Sequence, residues 1–333
     1  YKICYDLLSQ LAKTDETIVK YKKLLNKTWI EIKEVYKGFE NNIKFNYYLV
    51  TNGTINLAPI YKYILENDLF VTISIDGSED VHDYTRPFKG NSKGSFKQIE
   101  NNISNLIGEI GADNICAKIT AFENDISIVN RVKGVLNLGF RQISVGKVVQ
   151  QEESYNTNNL NLQMSYSRIS SEYSILMDWY IKKLNSGENL IIQPFHKLLN
   201  DILYSKCTGA YCLAGKRLIC ITPSGDFYPC HRLIPYSDWQ IGSIGNLDFS
   251  KGNRLVNYQR DAFISCENCW ARYLCFGNHC PHQNILNGNS LSSLNSLEHC
   301  DFMKMFITQM SYYSTKISDK KVIQKYYTRR RVI

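Results

Sequence analysis

The feature that most restricts this chain is its cysteine array: of eleven cysteines, nine lie between residues 207 and 300. The order is Cys207-x4-Cys212, then x12 to Gly225 and x4 to Cys230, then Cys266-x2-Cys269-x5-Cys275-x4-Cys280, and finally Cys300. A C-x2-C pair sets two thiolates on one turn, close enough to hold a single metal centre. Four thiolates complete one tetrahedral zinc site or one [4Fe–4S] cluster, so eight serve two sites. On ligand chemistry alone, zinc and iron–sulfur are equivalent readings. A single buried cysteine is a small hydrophobe, the expectation for Cys116 and Cys220, which sit in strand-like apolar runs. The remaining density is that of metal binding rather than of disulfides, because nothing in the sequence looks secreted.

Before the array the texture differs. Alternating patterns predict helices over residues 28–38, 57–66, 95–110 and 126–138, and strands over 43–50, 69–75, 115–122 and 142–149. Strands separated by helices of ten to fifteen residues require parallel pairing, so this half is α/β. A polar loop is expected over 150–161, a long helix over 162–184 and a shorter one over 194–204. Gly, Pro and Cys then become frequent, which places a domain boundary near 195–205. The division is residues 1–200, a cysteine-rich domain over 201–302, and a helix (301–314) with a basic tail over 303–333.

Bulk properties exclude several classes. Apolar content of 44% and aromatic content of 12% are globular, and no run of eighteen apolar residues suggests a membrane span. The formal charge of +8 is mild for 333 residues. Arg329-Arg330-Arg331 reads as a solvated end, and nowhere do basic residues alternate with stacking aromatics, so no nucleic-acid partner is expected. The chain opens Tyr1-Lys-Ile-Cys4-Tyr-Asp6 without a basic n-region and apolar h-region, so a cytoplasmic protein is expected. With no initiator Met, the expectation is that residues precede Tyr1.

The segments Cys212-Leu-Ala-Gly, Ile221-Thr-Pro-Ser-Gly-Asp-Phe-Tyr-Pro-Cys230-His231-Arg232 and Cys266-Glu-Asn-Cys269-Trp-Ala-Arg-Tyr-Leu-Cys275-Phe-Gly-Asn-His-Cys280-Pro resemble the SPASM domain. That domain follows the radical SAM barrel in enzymes that modify ribosomal peptides and in anaerobic sulfatase maturases. One departure is the x4 gap before Cys280, where the family has x3. The resemblance implies two auxiliary [4Fe–4S] clusters, one on Cys207, Cys212, Cys230 and Cys280, the other on Cys266, Cys269, Cys275 and Cys300. Interleaved ligation ties distant loops together, so such a domain folds only with its metal.

The resemblance runs upstream. Tyr47-Tyr-Leu-Val-Thr51-Asn52-Gly53-Thr54, Val71-Thr-Ile-Ser74-Ile75-Asp76-Gly77, His82-Asp83, Arg86 and Lys93-Gly94-Ser95-Phe96 look like the middle of a radical SAM barrel. It implies that polar residues ending these strands, Asn52, Ser74 and Asp76, face S-adenosylmethionine at the carboxyl-end face. Asn-Gly and Asp-Gly are equally turn dipeptides. Two family parts are missing from this chain. The C-x3-C-x2-C motif is represented by Cys4 alone, with Tyr1 where another cysteine belongs. The Gly-Gly-Glu-Pro stretch is absent too: a helix over 15–25 runs almost directly into that at 28. S-adenosylmethionine and a third cluster are therefore expected only where those motifs exist.

His231 stands where sulfatase maturases carry a catalytic Asp; histidine there either accepts a proton or hydrogen-bonds a cluster sulfur. His279 and His282, flanking Cys280, read as supporting or surface groups. Three functions follow: a radical SAM peptide maturase with a peptide or protein substrate and a flavodoxin- or ferredoxin-type electron donor; a cluster-holding, non-catalytic relative; or a zinc-bound structural protein.

Overall fold

The computed structural model describes residues 2–6, 46–88, 93–123, 126–147, 164–205, 214, 218–222, 224–243, 246–248, 267–275, 282 and 297–327. In chain order the elements are β1 Lys2–Asp6, β2 Asn46–Thr51, α1 Tyr61–Glu66 behind a 3-10 turn, β3 Phe70–Ser74, α2 Glu79–Thr85, α3 Phe96–Ile110, β4 Ile115–Ala121 and α4 Ile128–Asn137. Then come β5 Gln142–Lys147, α5 Tyr166–Asn185, β6 Ile191–Gln193, α6 Phe195–Tyr204, β7 Leu218–Ile221, β8 Asp226–Tyr228, β9 Gly242–Ser243, β10 Asn246–Leu247, α7 Leu297–Ser314 and α8 Lys321–Tyr327. The chain is thus α/β, as the alternation predicts. The expected helices over 15–25 and 28–38 and the loop over 150–161 lie outside the described residues.

The chain forms two compact units, each assembled from separated stretches. The first comprises Tyr1–Ser74, Ser95–Cys116 and Cys212–Asp261. Here β7, β1, β2 and β3 are parallel neighbours, with Cys4 in register with Cys220 on one side and Tyr48 on the other. A hairpin then runs back: β8 is antiparallel to β7, and β9 to β8. Its turn is closed by Thr222 N–H donating to the Asp226 carbonyl at 2.9 Å, with Gly225 at φ +89. All five residues of β3 are buried, as expected for a parallel strand covered on both faces. Helix α3 buries Phe96, Ile99, Ile103, Leu106 and Ile110, an i, i+3, i+7 stripe. Cys116 and Cys220 are 3% and 0% exposed and serve as core residues, as their sequence context predicts.

The second unit comprises Ile75–Gly94, Ala117–Tyr211 and Ala262–Ile333. Strands β4, β5 and β6 are parallel, and α4, α5, α6 and α7 supply the apolar cover. The long helix begins later than periodicity suggests, because Ser165 is its N-cap: its hydroxyl accepts the Arg168 N–H at 3.2 Å. Tyr173, Phe195 and Phe306 meet with ring centroids 4.9 to 5.6 Å apart, which fastens α6 and α7 to α5. Beside them His196, 1% exposed, bridges elements: Nδ1 lies 2.7 Å from the Tyr180 hydroxyl and Nε2 3.0 Å from the Ile323 carbonyl. The carbonyl fixes Nε2 as the protonated nitrogen, so Nδ1 accepts from Tyr180. No helix among the described residues is long and apolar enough to cross a membrane.

Candidate functional site

Ligands of open α/β sheets bind beyond the carboxyl ends of the strands, and each unit presents such ends. In the first, β2 runs into Asn52-Gly53. The Asn52 side-chain oxygen accepts from the Thr54 N–H at 3.1 Å and the Thr54 hydroxyl at 2.9 Å, an Asx turn. Gly53 is required here: φ is +78, and a Cβ would stand 2.9 Å from Ile73 Cγ2. The turn reading of Asn52-Gly53 is therefore correct, and the Asn52 amide nitrogen remains for other partners. Ser74 ends β3, is 7% exposed, and its hydroxyl makes no hydrogen bond with another described residue.

In the second unit the chain continues through Ile75, whose N–H donates to Lys118 O at 3.0 Å, into Asp76, 1% exposed. The Asp76 carboxylate is saturated by protein donors. Arg86 Nε donates at 2.6 Å and Nη2 at 3.4 Å, the Thr85 hydroxyl at 3.2 Å and the Thr120 N–H at 2.8 Å. The Arg86 side chain, 35% exposed, also reaches Thr120 Oγ1 at 3.4 Å. One carboxylate thus ties the segment after Ile75 to α2 and to Thr120 of β4, leaving its oxygens little capacity for a ligand. This is what the sequence reading of Asp76 as a cofactor contact lacked: its donors are 9, 10 and 44 positions away.

Behind the carboxylate lies a layer that excludes water. Asp76 N–H donates to His82 Nδ1 at 3.3 Å, so this ring is also the Nε2–H tautomer. Burial pushes His82 down to about 4, Arg86 adds to the effect, and Asp76 and Asp83 oppose it. Arg131, 1% exposed, donates to the Asp76 and Phe122 carbonyls at 3.4 Å each, with its guanidinium carbon 4.0 Å from the Phe122 ring centroid. Burial lowers it to about 10, still charged at neutral pH. Tyr84 stacks on Phe122 at 5.8 Å. Gly77 and Gly134 let α4 approach the backbone after Asp76: a Cβ on Gly134 would stand 2.8 Å from Ser78 N, and one on Gly77 3.2 Å from Arg131 Cα.

The described cysteines Cys230, Cys269, Cys275 and Cys300 are thiols rather than disulfides, a donor chemistry that fits iron–sulfur and zinc alike. Cys230 follows β8 half-buried, its Sγ 3.8 Å from His231 Nδ1. Residues 267–275 fold as consecutive turns in which Arg272 N–H donates to Cys269 O at 3.0 Å and Cys275 N–H to Ala271 O at 2.8 Å. Cys275 is 7% exposed; Cys269 and Cys300, the latter on α7, are half-buried. Cys207, Cys212, Cys266, Cys280 and His279 lie outside the described residues, and among the described residues no three metal-ligating side chains converge. His282, expected as a supporting or surface group, is buried. Cys4, which resembles the end of a C-x3-C-x2-C motif, is a mid-strand residue of β1.

No protein-family model matches the chain. Two curated relatives are cysteine-type anaerobic sulfatase-maturating enzymes. That of Clostridium novyi (strain NT) is 27% identical over 256 residues, 72% of this chain and 65% of the relative. That of Clostridium perfringens is 24% identical over 256 residues, 71% and 65%. The chain thus spans about two thirds of the length of these relatives. Among solved structures, native anSMEcpe with bound AdoMet and the Kp18Cys peptide superposes with a TM-score of 0.70 at 19% identity, covering 97% of this chain and 86% of that one. SuiB of Streptococcus suis gives 0.54 at 9%, covering 89% and 76%. The chain has the α/β fold of these radical SAM structures.

Proposed function

We propose that this chain is a radical SAM/SPASM-type enzyme that modifies a peptide or protein. The observation that carries the reading is the fold likeness over 97% of the chain to a maturase solved with AdoMet and peptide, joined to a cysteine spacing over 207–300 that resembles the SPASM array. S-adenosylmethionine and the cluster that binds it would supply a radical for hydrogen abstraction from the substrate only where the C-x3-C-x2-C and Gly-Gly-Glu-Pro motifs exist, and of these the sequence contains Cys4 alone. The chain's own residues bind and orient. Asn52 and Ser74 would offer an amide and a hydroxyl to the cofactor, and Asp76, through Arg86 and Thr120, holds the Asp76-Gly77 turn in shape. Neutral His82 and the Arg131–Phe122 stack keep water from that turn. Cys207, Cys212, Cys230 and Cys280 would hold one auxiliary cluster, and Cys266, Cys269, Cys275 and Cys300 a second. A flavodoxin- or ferredoxin-type donor would supply electrons in the cytoplasm.

A non-catalytic, cluster-holding protein is the second reading, favoured by one observation: Cys4 lies within a strand. Anaerobic incubation with S-adenosylmethionine and dithionite separates the two. Formation of 5′-deoxyadenosine supports the enzyme. Iron-loaded protein that forms none supports the second reading, and colourless protein with stoichiometric zinc would contradict both.

A further inference from the structure

Strand β5 ends on Lys147, at the carboxyl edge of the parallel strands of the second unit. Its Nζ stands 3.9 Å from the centroid of the Tyr166 ring, the first residue of α5. That ring is itself braced by Phe302 of α7 at 5.3 Å. Among the described residues the ammonium makes no ion pair and no hydrogen bond. Partial burial lowers its proton affinity, to about 8, with no carboxylate among the described residues offsetting the effect.

The surroundings reinforce the imbalance. The first turn of α5 carries no acidic residue, although a helix N-terminus is positive and favours one. The next cation, Arg168, is already neutralised by Glu123 at 2.6 Å. Lysines that contribute only an aliphatic stem keep the ammonium in water; here the ammonium itself sits on the ring and is partly desolvated. Removing a charge from water without a partner costs free energy, and an ammonium has three donors and no acceptor. The ring leaves the ammonium's donors open among the described residues; an anion would complete them, and the anion a peptide carries is a carboxylate.

We propose that Lys147 is a substrate-recognition residue whose ammonium, oriented by Tyr166, takes a carboxylate of the peptide being modified. The assignment rests on the peptide reading above, and two measurements keep them distinguishable. First, amine labelling of wild-type protein is followed at each lysine by mass spectrometry, with N-acetylglutamate methylamide or its glutamine counterpart present. Labelling of Lys147 should slow several-fold with the glutamate compound alone; equal rates overturn the proposal. Second, a pool of random dodecapeptides is bound to wild type, Lys147→Arg and Lys147→Met, and the bound fractions are sequenced. Wild type and Lys147→Arg should enrich Asp or Glu at one position about tenfold, the value of one charge-assisted contact. Lys147→Met, which keeps the stem on Tyr166, should retain peptides without that enrichment. Enrichment that survives in Lys147→Met overturns the proposal. Protection by the glutamate compound while neither protein retains any peptide supports the anion site and sinks the peptide reading instead.

Discussion

Replacing Asp76 by alanine should loosen the end of β4 more than any other single change near the strand ends, and the structure sets the size. Removing the carboxylate strands the Thr120 N–H, which it accepts at 2.8 Å; an unsatisfied buried donor costs about 1–3 kcal/mol. The Arg86 pair adds less than its 2.6 Å length suggests. The guanidinium is 35% exposed and rehydrates when released, so about 1 kcal/mol is a fair share. Thr85 adds nothing, since its hydroxyl also lies 3.4 Å from the His82 carbonyl. The total is about 2–4 kcal/mol for Asp76→Ala. Asp76→Asn, which keeps an oxygen for Thr120 but loses the charge, should cost about 1 kcal/mol. Because the chain comprises two units, a global melt mixes transitions. Amide hydrogen exchange of the peptide containing Thr120 reports locally. Exchange there should accelerate about thirtyfold or more in Asp76→Ala and under tenfold in Asp76→Asn. Unchanged protection at Thr120 in Asp76→Ala would refute the reasoning, because the carboxylate would then not be its acceptor.

Acid should destabilise the second unit. His82 and His196 are both held at about 4 by burial, below the usual 6.5, so the unfolded chain binds more protons between pH 6.5 and 4. Their contribution is complete above pH 7 and fades as pH falls through that window, by up to about 3 kcal/mol each. Urea midpoints measured from pH 7.5 to 4.5 should drop for wild type and drop less for His196→Gln. Gly134→Ala should destabilise although alanine is the better helix former by about 1 kcal/mol. Its Cβ would press on Ser78 N at 2.8 Å and Gly77 C at 3.1 Å, and such backbone overlap costs about 1–3 kcal/mol; a raised urea midpoint would contradict the close approach.

Much of this fold is legible in the sequence because burial follows period. The stripe of Phe96, Ile99, Ile103, Leu106 and Ile110 declares α3, and the apolar-rich Leu69–Ile75 stretch declares β3, although the polar Thr72 and Ser74 conceal that it is buried on both faces. Helix α2 is not legible: Glu79-Asp80-Val81-His82-Asp83-Tyr84-Thr85 buries only Val81 and His82, and tertiary contacts to Asp76 hold it. Strand β1 has five residues, too few to show a period, and β9 and β10 have two each. The residues missed at the candidate site are buried charges. Arg131 lies 55 positions from the carbonyl it caps, and nothing in the local pattern marks it as interior. Lys147 likewise ends a strand of ordinary appearance; the ring beneath it, and the lack of a carboxylate partner among the described residues, mark it out. The expectation of metal binding, by contrast, comes from cysteine spacing and needs no fold.

Iron and acid-labile sulfide counted on protein isolated without oxygen test the central claim most directly. The account predicts about eight of each per chain from the C-terminal cysteines, with a brown visible absorption, and loss of about half the iron from a Cys269→Ser/Cys275→Ser variant. A well-folded, colourless protein carrying no iron, indifferent to that double substitution, would contradict it.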